Sequence, residues 1–331
     1  MKINLSRLCE NYQTLCQNAG SRIVAAVVKG NAYGLGFARI AEALFEVGCR
    51  YFFIANWQEA LQVKLPEAKI YALSGVEPDE YQSAVEADVM PVLHRLDQVQ
   101  IWLKKYPSKP FAVQINTSLN RLGLTLEELN ILDSTRNCLK ISQLSCGYLS
   151  GYPENVMDLA ILENFDTDIS GASSCSFLLK GSRGMIRAGR WLYGIASDTS
   201  NENHVFNKLK PVATLTAPVI AVREVKQREH IGYNRGFLVK ENMRIAILNI
   251  GYSSGYIVLP DKPQHVWFQG VFYSIVSQSM DFTTVDIGKA KCAPGDIMEL
   301  FGDNVCQENQ HYKIRIMGDV KRVYVRDENK N

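Results

Sequence analysis

The sequence has few of the features that mark a metal protein, a secreted protein or a membrane protein. Its eight cysteines are scattered without a Cys-x-x-Cys pair, and its five histidines show no His-x-x-x-His spacing, so a zinc site is not expected. The N-terminus lacks the apolar stretch of a secretory signal, and no apolar run approaches the roughly 20 residues that span a bilayer. We therefore expect reduced thiols, a cytoplasmic location and no membrane partner.

Excess charge of either sign is also absent. Lys and Arg total 36 and Asp and Glu total 34, which gives a formal net charge of +2. The chain thus lacks the electrostatic footprint of a protein that binds nucleic acid or a membrane surface. Its 331 residues, 47% of them hydrophobic, are enough for about two folded domains. A small-molecule partner is the expectation.

The first two thirds of the chain alternate between helical and strand-like patterns. Apolar residues at three- and four-residue spacing predict a helix over 5–16, and IVAAVVK (23–29) is typical of a parallel strand buried on both faces. Further strand candidates are 51–55, 69–73, 90–93, 111–115, 141–144, 168–170 and 185–187. About eight strands alternating with helices indicate an α/β (β/α)8 TIM-like barrel, with a doubly wound open sheet as the alternative.

The last third of the chain follows a different pattern. After the polar connector NENHVFNKLKP, strand-like segments succeed one another with short turns and little helix. This pattern predicts a separate C-terminal β-rich domain. We expect the barrel to cover residues 1–205 and the β-rich domain to cover residues 210–331.

Lys29 stands at the carboxyl end of the first predicted barrel strand. Active sites collect at that end of the strands in barrels and open sheets alike. A lysine partly desolvated there can form a Schiff base with a carbonyl cofactor. The alternative is a strand-end lysine that reaches into solvent, which is the commoner role of a single lysine.

The residues around Lys29 favour the chemical role. The segment AVVKGNAYGLG (26–36) resembles the pyridoxal-phosphate lysine motif of the alanine racemases, with Lys29 at the lysine and Tyr33 four residues later. Segments that resemble other parts of this family recur in order along nearly the whole chain. The resemblance implies a fold-type III pyridoxal 5′-phosphate enzyme, with a (β/α)8 TIM-like barrel followed by a C-terminal β-rich domain.

Two further barrel segments resemble the family. NTSLNRLGL (116–124) matches the segment whose arginine, here Arg121, helps to hold the substrate carboxylate and the catalytic tyrosine. MIRAGRWLYG (185–194) matches the segment whose arginine, here Arg187, hydrogen-bonds the pyridine nitrogen of the cofactor. The other cofactor-binding residues that the resemblance implies are Lys29, Tyr33, Ser174, Gly189, Arg190 and Tyr312.

The predicted β-rich domain carries the remaining matches. VREVKQREHIGYN (222–234) resembles the family segment with the second acid/base tyrosine, here Tyr233. IGYSSGY (250–256) matches a substrate-entry motif through Tyr252. Met280 and Asp281 match the pair that contacts substrate across the dimer.

The implied roles agree with the chemistry of racemisation. A proton must leave one face of the amino-acid α-carbon and another must arrive on the opposite face, so two bases flank the substrate. The resemblance implies Lys29 and Tyr233 as this pair. Because free tyrosine is a poor base at neutral pH, a neighbouring cation such as Arg121 would favour its ionised form. Arg187, as a permanent cation, would discourage protonation of the pyridine nitrogen.

The implied function is the conversion of L-alanine to D-alanine, which supplies cell-wall peptidoglycan. The implied assembly is a cytoplasmic homodimer in which the β-rich domain of the partner completes each site. A small amino acid is therefore the expected substrate, and pyridoxal 5′-phosphate the expected cofactor.

The chain departs from the family pattern at supporting positions. Gln114 replaces a lysine that is carboxylated in many relatives, and a glutamine could hydrogen-bond Arg121 but brings no charge. Leu35 replaces a histidine, and the histidine expected around Cys146–Gly147 is absent. The other replacements are Asn116, Ser118, Ser173 and Ser254.

These departures leave several alternatives open. The chain could be a racemase of another small amino acid such as serine, or a degenerate, weakly active or non-catalytic homologue that binds the cofactor. An amino-acid decarboxylase of the same barrel class is a further alternative, but such enzymes resemble this chain less because they are longer and carry a cysteine-containing C-terminal motif that this sequence lacks. A dinucleotide-binding sheet built on Gly30, Gly34 and Gly36 is disfavoured, because the Gly-x-Gly-x-x-Gly spacing is not met.

Overall fold

The computed structural model describes residues 1–116, 120–132, 139–141, 169–172, 184–195, 205–258, 264–305 and 320–327. The chain divides into two compact units. The barrel unit is Arg7–Lys210, and the β unit combines Met1–Ser6, which contains strand β1 (Lys2–Asn4), with Pro211–Asn331.

The barrel unit is built on a closed ring of eight parallel strands within the described residues. They are β2 (Ile23–Val27), β3 (Tyr51–Ile54), β4 (Lys69–Ala72), β5 (Val89–Leu93), β6 (Ala112–Gln114), β7 (Leu139–Ile141), β8 (Ile169–Ala172) and β9 (Met185–Ala188). Strand β9 pairs with β2, with Arg187 opposite Ala25, and this pairing closes the ring. The predicted TIM-like barrel is confirmed, and the open-sheet alternative is wrong because an open sheet would leave those two strands unpaired.

The helices follow the apolar stripes in the sequence. Their bounds are α1 (Leu5–Asn18), α3 (Phe37–Glu46), α4 (Tyr81–Glu86), α5 (Leu96–Lys105) and α6 (Leu126–Ile131), while the short element α2 (Lys29–Tyr33) is a turn with positive φ values from Gly30 onward. Helix α3 buries Phe37, Ile40 and Leu44 at the spacing of one helix face. Among the described residues, no helix is long and apolar enough to cross a membrane.

The β unit is dominated by an eight-stranded sheet with the order β13-β16-β15-β14-β17-β10-β1-β18. Its strands after β1 are β10 (Ala213–Val225), β13 (Met243–Leu248), β14 (His265–Phe268), β15 (Val271–Gln278), β16 (Thr283–Asp286), β17 (Ile297–Phe301) and β18 (Val323–Val325), while β11 (His230–Ile231) and β12 (Phe237–Leu238) form a separate pair. The long strand β10 pairs with β17 through its first half and with β13 through its second. The expected β-rich C-terminal domain is thus present.

The N-terminus differs from the sequence expectation, which placed residues 1–205 in the barrel. Lys2 pairs with Thr214 of β10 and with Val323 of β18, so Met1–Ser6 belongs to the β unit. A three-residue strand is too short to show a period of two in the sequence. Only its backbone pairing with distant strands reveals it.

Candidate active site

The candidate site lies at the carboxyl ends of β2 and β9, which are neighbours in the barrel. Ala26 of β2 pairs with Ala188 of β9, so Lys29 and the Gly189–Arg190 segment leave the barrel at the same rim. In parallel barrels this rim is where loops from different strands converge on a ligand. The fold therefore gathers residues 160 positions apart in the sequence that the resemblance assigned to cofactor binding.

Lys29 begins a turn of unusual handedness. Asn31, Ala32 and Tyr33 have φ values of 53°, 53° and 57°, in the left-handed region, and Gly30 has a φ of 64°. Each non-glycine residue in this conformation costs roughly 1–2 kcal/mol relative to the right-handed one. Because three such residues follow one another, contacts from the rest of the barrel must hold the turn.

The turn is held from one side by Glu59. Its Oε1 accepts a hydrogen bond from the Asn31 backbone N–H at 2.9 Å, and its Oε2 accepts one from the Ala55 N–H at 2.7 Å. Asn31 also accepts a bond from the Phe37 N–H at 2.7 Å through Oδ1, which ties the turn to the start of α3. The sequence did not single out Glu59. Its partners here are backbone N–H groups, and no pattern of residue types indicates which side chain will bind them.

Aromatic packing holds the turn from the other side. The buried Tyr33 ring packs against Tyr193, with ring centroids 5.0 Å apart. Tyr193 is fully buried and donates a hydrogen bond from its hydroxyl to the Val27 carbonyl oxygen at 3.0 Å. Tyr193 ends the 3-10 turn Arg190–Tyr193 that follows β9, so the segments after β2 and β9 are fixed to each other.

Arg187 supplies a positive charge inside the barrel. Its side chain is buried, and its guanidinium carbon lies 5.5 Å from the centre of the Phe53 ring. Burial, with a smaller contribution from the charge of Arg121, lowers the pKa of Arg187 to about 9. The group still carries its charge at neutral pH, and it favours an electron-rich or anionic group beside it.

Arg121 lies on a loop whose two ends are pinned together. The Asn116 N–H donates to the Leu124 carbonyl at 2.9 Å, and the Leu124 N–H donates to the Gln114 carbonyl at 2.8 Å. Arg121 itself is exposed, and it lies close enough to Arg187 for its charge to act on that group. The loop thus carries a second cation toward the same region of the barrel.

Gln114 is buried at the end of β6, and its Nε2 donates to the Ile115 carbonyl at 3.1 Å. The sequence suggested a hydrogen bond from this side chain to Arg121. In the structure its amide nitrogen donates to the backbone of the residue that follows β6, whereas a bond from Arg121 would use the Oε1 acceptor because arginine only donates.

In the β unit, the segments with Tyr252 and Met280 are joined backbone to backbone. The Tyr252 N–H donates to the Ser279 carbonyl at 3.2 Å, and the Ser253 N–H donates to the Met280 carbonyl at 2.9 Å. The Ser253 hydroxyl adds bonds to the Met280 carbonyl at 2.7 Å and to Asp281 Oδ1 at 3.3 Å. The structure therefore brings together three of the residues that the sequence assigned to substrate contact.

Tyr233 lies in the same unit, in the 3-10 turn Tyr233–Arg235. The preceding Gly232 packs so closely on Ser277 of β15 that a Cβ there would lie 2.2 Å from the Ser277 Oγ. The side chains of Tyr233, Tyr252 and Met280 are 65%, 48% and 53% exposed. Large apolar side chains exposed on neighbouring segments are typical of a surface that contacts another molecule.

Comparison with known protein families identifies the family of this chain. A family model described as alanine racemase, N-terminal domain, matches residues 3–146, and one described as alanine racemase, C-terminal domain, matches residues 212–318. The chain belongs to the alanine racemase family. The resemblance identified from the sequence motifs is thereby confirmed.

Individual alanine racemases are similar along most of the chain. The catabolic alanine racemase of Agrobacterium fabrum is 30% identical over 93% of this chain and 85% of that protein. The alanine racemase of Rickettsia canadensis is 32% identical over 90% of this chain and 86% of that protein. The crystal structure of the Bartonella henselae alanine racemase with covalently bound pyridoxal phosphate superposes with a TM-score of 0.84, at 28% identity and over 98% of both chains.

Several positions at which the sequence was expected to depart from the family pattern can be placed. Leu35 is fully buried, and Ser254 ends the 3-10 turn that starts at Tyr252. Ser174 and Tyr312, the other two expected phosphate contacts, lie outside the described residues, as do Ser118, Ser173 and Cys146–Gly147. In the described part of the chain, no cluster of three potential metal ligands occurs.

Proposed function

We propose that this chain interconverts L- and D-alanine with pyridoxal 5′-phosphate as its cofactor. The observation that carries the proposal is that Lys29, on its braced turn after β2, and Arg187, a buried cation on β9, belong to neighbouring strands of an alanine racemase barrel. Membership of the family adds support, since the curated relatives in Agrobacterium fabrum and Rickettsia canadensis are alanine racemases.

The described residues suit this cofactor chemically. Lys29 offers an amine to an aldehyde, Arg187 offers a charge to a ring nitrogen, and Tyr33 provides aromatic surface at the rim. The backbone N–H groups of Gly189 and Arg190, at the start of a turn, are donors of the kind that hold phosphate. When bound, the cofactor supplies an electron sink for the charge that develops at the substrate α-carbon.

The protein residues then divide the work of moving protons. Lys29 and Tyr233 serve as the two bases, one removing the α-proton from one face and the other delivering a proton to the opposite face. Arg121 holds the substrate carboxylate through charge-assisted hydrogen bonds. Arg187, as a buried cation, would keep a cofactor ring nitrogen bound beside it unprotonated.

We further propose that the exposed group of Tyr233, Tyr252 and Met280, together with Asp281, contacts the barrel of a second copy of the chain. The exposure of these side chains supports this assignment, as does the family resemblance of the segments that carry them. The active enzyme is then a homodimer with two shared sites. We place it in the cytoplasm, as a source of D-alanine for the cell wall.

The proposal is tested by exchange of the α-proton. The purified protein, supplied with cofactor, is incubated with L- or D-alanine in deuterated buffer, and deuterium incorporation and optical rotation are followed. We expect incorporation from both enantiomers, and serine and other small amino acids complete the panel. A protein that binds the cofactor and exchanges no amino acid of the panel would refute the racemase function.

Variants locate the chemistry within the chain. Lys29→Ala is expected to remove the visible absorbance band of lysine-bound cofactor, and Tyr233→Phe to keep the band but lower the conversion of one enantiomer into the other by about 10²-fold or more. The matched controls are Lys105→Ala at the end of α5 and Tyr106→Phe, whose hydroxyl contacts Gln82. Persistence of the band in Lys29→Ala would show that the lysine is assigned wrongly.

A further inference from the structure

We infer that Glu59 is a positioning residue for Lys29, and this inference rests on the proposed function. Glu59 lies in the 3-10 helix Trp57–Gln62, which follows β3, the barrel strand next to β2. It joins the turn that starts at Lys29 to the end of that neighbouring strand. Its effect on catalysis is therefore exerted through the backbone of the turn.

The geometry of the carboxylate fits this role. Its two oxygens are used separately, one by the Asn31 N–H at 2.9 Å and the other by the Ala55 N–H at 2.7 Å. Hydrogen bonds to an ionised acceptor are about twice as strong as those between neutral groups. One half-buried side chain thus satisfies two backbone donors that belong to different strand ends.

Glu59 is itself held in place. Asn56 accepts a bond from the Glu59 N–H through Oδ1 at 3.3 Å, and its carbonyl also accepts from the same N–H at 3.2 Å. The Asn56 side chain thereby caps the helix that carries Glu59. The carboxylate consequently approaches the Lys29 turn from a fixed backbone.

The turn needs such a partner because its conformation is unfavourable in isolation. Asn31 and its neighbours Ala32 and Tyr33 all lie in the left-handed region, so a released turn would relax toward other backbone conformations. Relaxation would move Lys29, which starts the turn, and Tyr33, which ends it. A displacement of about 1 Å at a reacting group can lower a rate about 10²-fold.

A carboxylate also suits the site better than its neutral analogue. Glutamine has the same length but offers one acceptor oxygen, and its NH2 group would face the N–H of either Asn31 or Ala55. Glu59→Gln should therefore release one end of the brace while changing little in volume. Glu59→Ala should release both ends.

The first arm of the test measures the brace on the protein without cofactor. Amide hydrogen exchange is followed at Asn31 and Ala55 in the wild type, Glu59→Gln, Glu59→Ala and the control Glu42→Gln, whose exposed carboxylate faces Arg39 on α3. We expect exchange at one or both amides to be about 10-fold faster in the Glu59 variants and unchanged in the control. Wild-type exchange rates in both Glu59 variants would overturn the inference.

The second arm measures Lys29 itself, with pyridoxal 5′-phosphate as the probe. We expect the Glu59 variants to bind cofactor at Lys29 more slowly, with an altered circular dichroism of the visible band. Their kcat for alanine should fall about 10- to 100-fold with KM within a few-fold of wild type. A residue that merely stabilised the fold would lower the melting temperature and leave the band and the kcat of the folded fraction intact, which would also overturn the inference.

The two arms separate this inference from the proposed function. If the wild-type protein does not bind the cofactor at Lys29, the proposed function fails, and the role of Glu59 in catalysis fails with it. If the wild type binds cofactor and racemises alanine while the Glu59 variants match it in every measurement, only the role of Glu59 fails.

Discussion

Substitution of Gly251 by alanine tests whether two turns of the β unit are locked together as the structure indicates. Gly251 precedes Tyr252 and lies directly against the backbone of the Ser279–Met280 segment. A Cβ at this position would lie 2.3 Å from the Met280 carbonyl oxygen and 2.4 Å from the Ser279 carbonyl oxygen. Because Gly251 has a φ of −137°, alanine meets no conformational penalty of its own, and the effect is purely steric.

The size of the effect follows from these distances. Contacts of a real Cβ under 3.0 Å are essentially never seen, and ordinary contact begins at 3.4 Å, so the two segments must separate by about 1 Å. Both obstructing atoms belong to the backbone, which cannot rotate away as a side chain would. Such overpacking costs about 1–3 kcal/mol of folding free energy. A 1 Å misplacement of Tyr252 and Met280 should lower the racemisation rate about 10²-fold, equivalent to about 2.7 kcal/mol in the barrier.

The assay is deuterium incorporation into alanine, with urea unfolding measured in parallel. Ser253→Ala is the matched control, because it removes the hydroxyl bonds to Met280 and Asp281 and leaves the backbone bonds of the turn. We expect that control to stay within about 3-fold of wild type, since an exposed hydrogen bond contributes roughly 1 kcal/mol or less. The visible band of cofactor at Lys29, in the barrel unit, should be kept in both variants. Wild-type exchange and stability in Gly251→Ala would refute the locking of the two turns.

Three further predictions address the barrel unit. Arg187→Met removes the buried cation of the candidate site, so alanine exchange should fall at least about 10²-fold; exchange at the wild-type rate would contradict this. Tyr193→Phe removes the buried hydrogen bond to the Val27 carbonyl. It should lower the free energy of unfolding in urea by about 1–2 kcal/mol and weaken cofactor binding in a titration. Unchanged values in both measurements would argue against the packing described. Burial lowers the pKa of His94 below 6.5, so on acidification the unfolded chain takes up a proton before the folded chain does. The free energy of unfolding should therefore fall from pH 6.5 downward, by up to about 1.4 kcal/mol per pH unit. Urea unfolding at pH 7 and pH 5 should show this fall in the wild type and a smaller fall in His94→Gln.

Much of the barrel could be predicted from local pattern. The strands β2, β3 and β4 lie within the apolar runs 23–29, 51–55 and 69–73, because a parallel strand buried on both faces needs a continuous apolar run. The strand expected at 141–144 begins earlier, at Leu139, where the residues give a weaker apolar signal. Of that predicted run, residues 142–144 lie outside the described residues.

Part of the candidate site could be predicted from sequence motifs, whereas its geometry could not. Lys29, Arg187 and Tyr233 could be named because they stand in segments that resemble a family. The left-handed turn from Asn31 to Tyr33 could not be predicted, since these residue types ordinarily favour negative φ. The roles of the residues assigned by resemblance stay predictions that the experiments above address.

The sequence by itself determined which segments form strands and helices, the family of the chain and the residues that are candidates for its chemistry. All of these depend on residue type and on spacing along the chain. Tertiary structure alone decided that β9 closes the barrel on β2, that Met1–Ser6 joins the β unit, and that Glu59 braces the Lys29 turn. Each of these depends on hydrogen bonds to backbone groups, many of them far away in the sequence. Backbone groups are the same in nearly every residue, so their partners cannot be read from residue type.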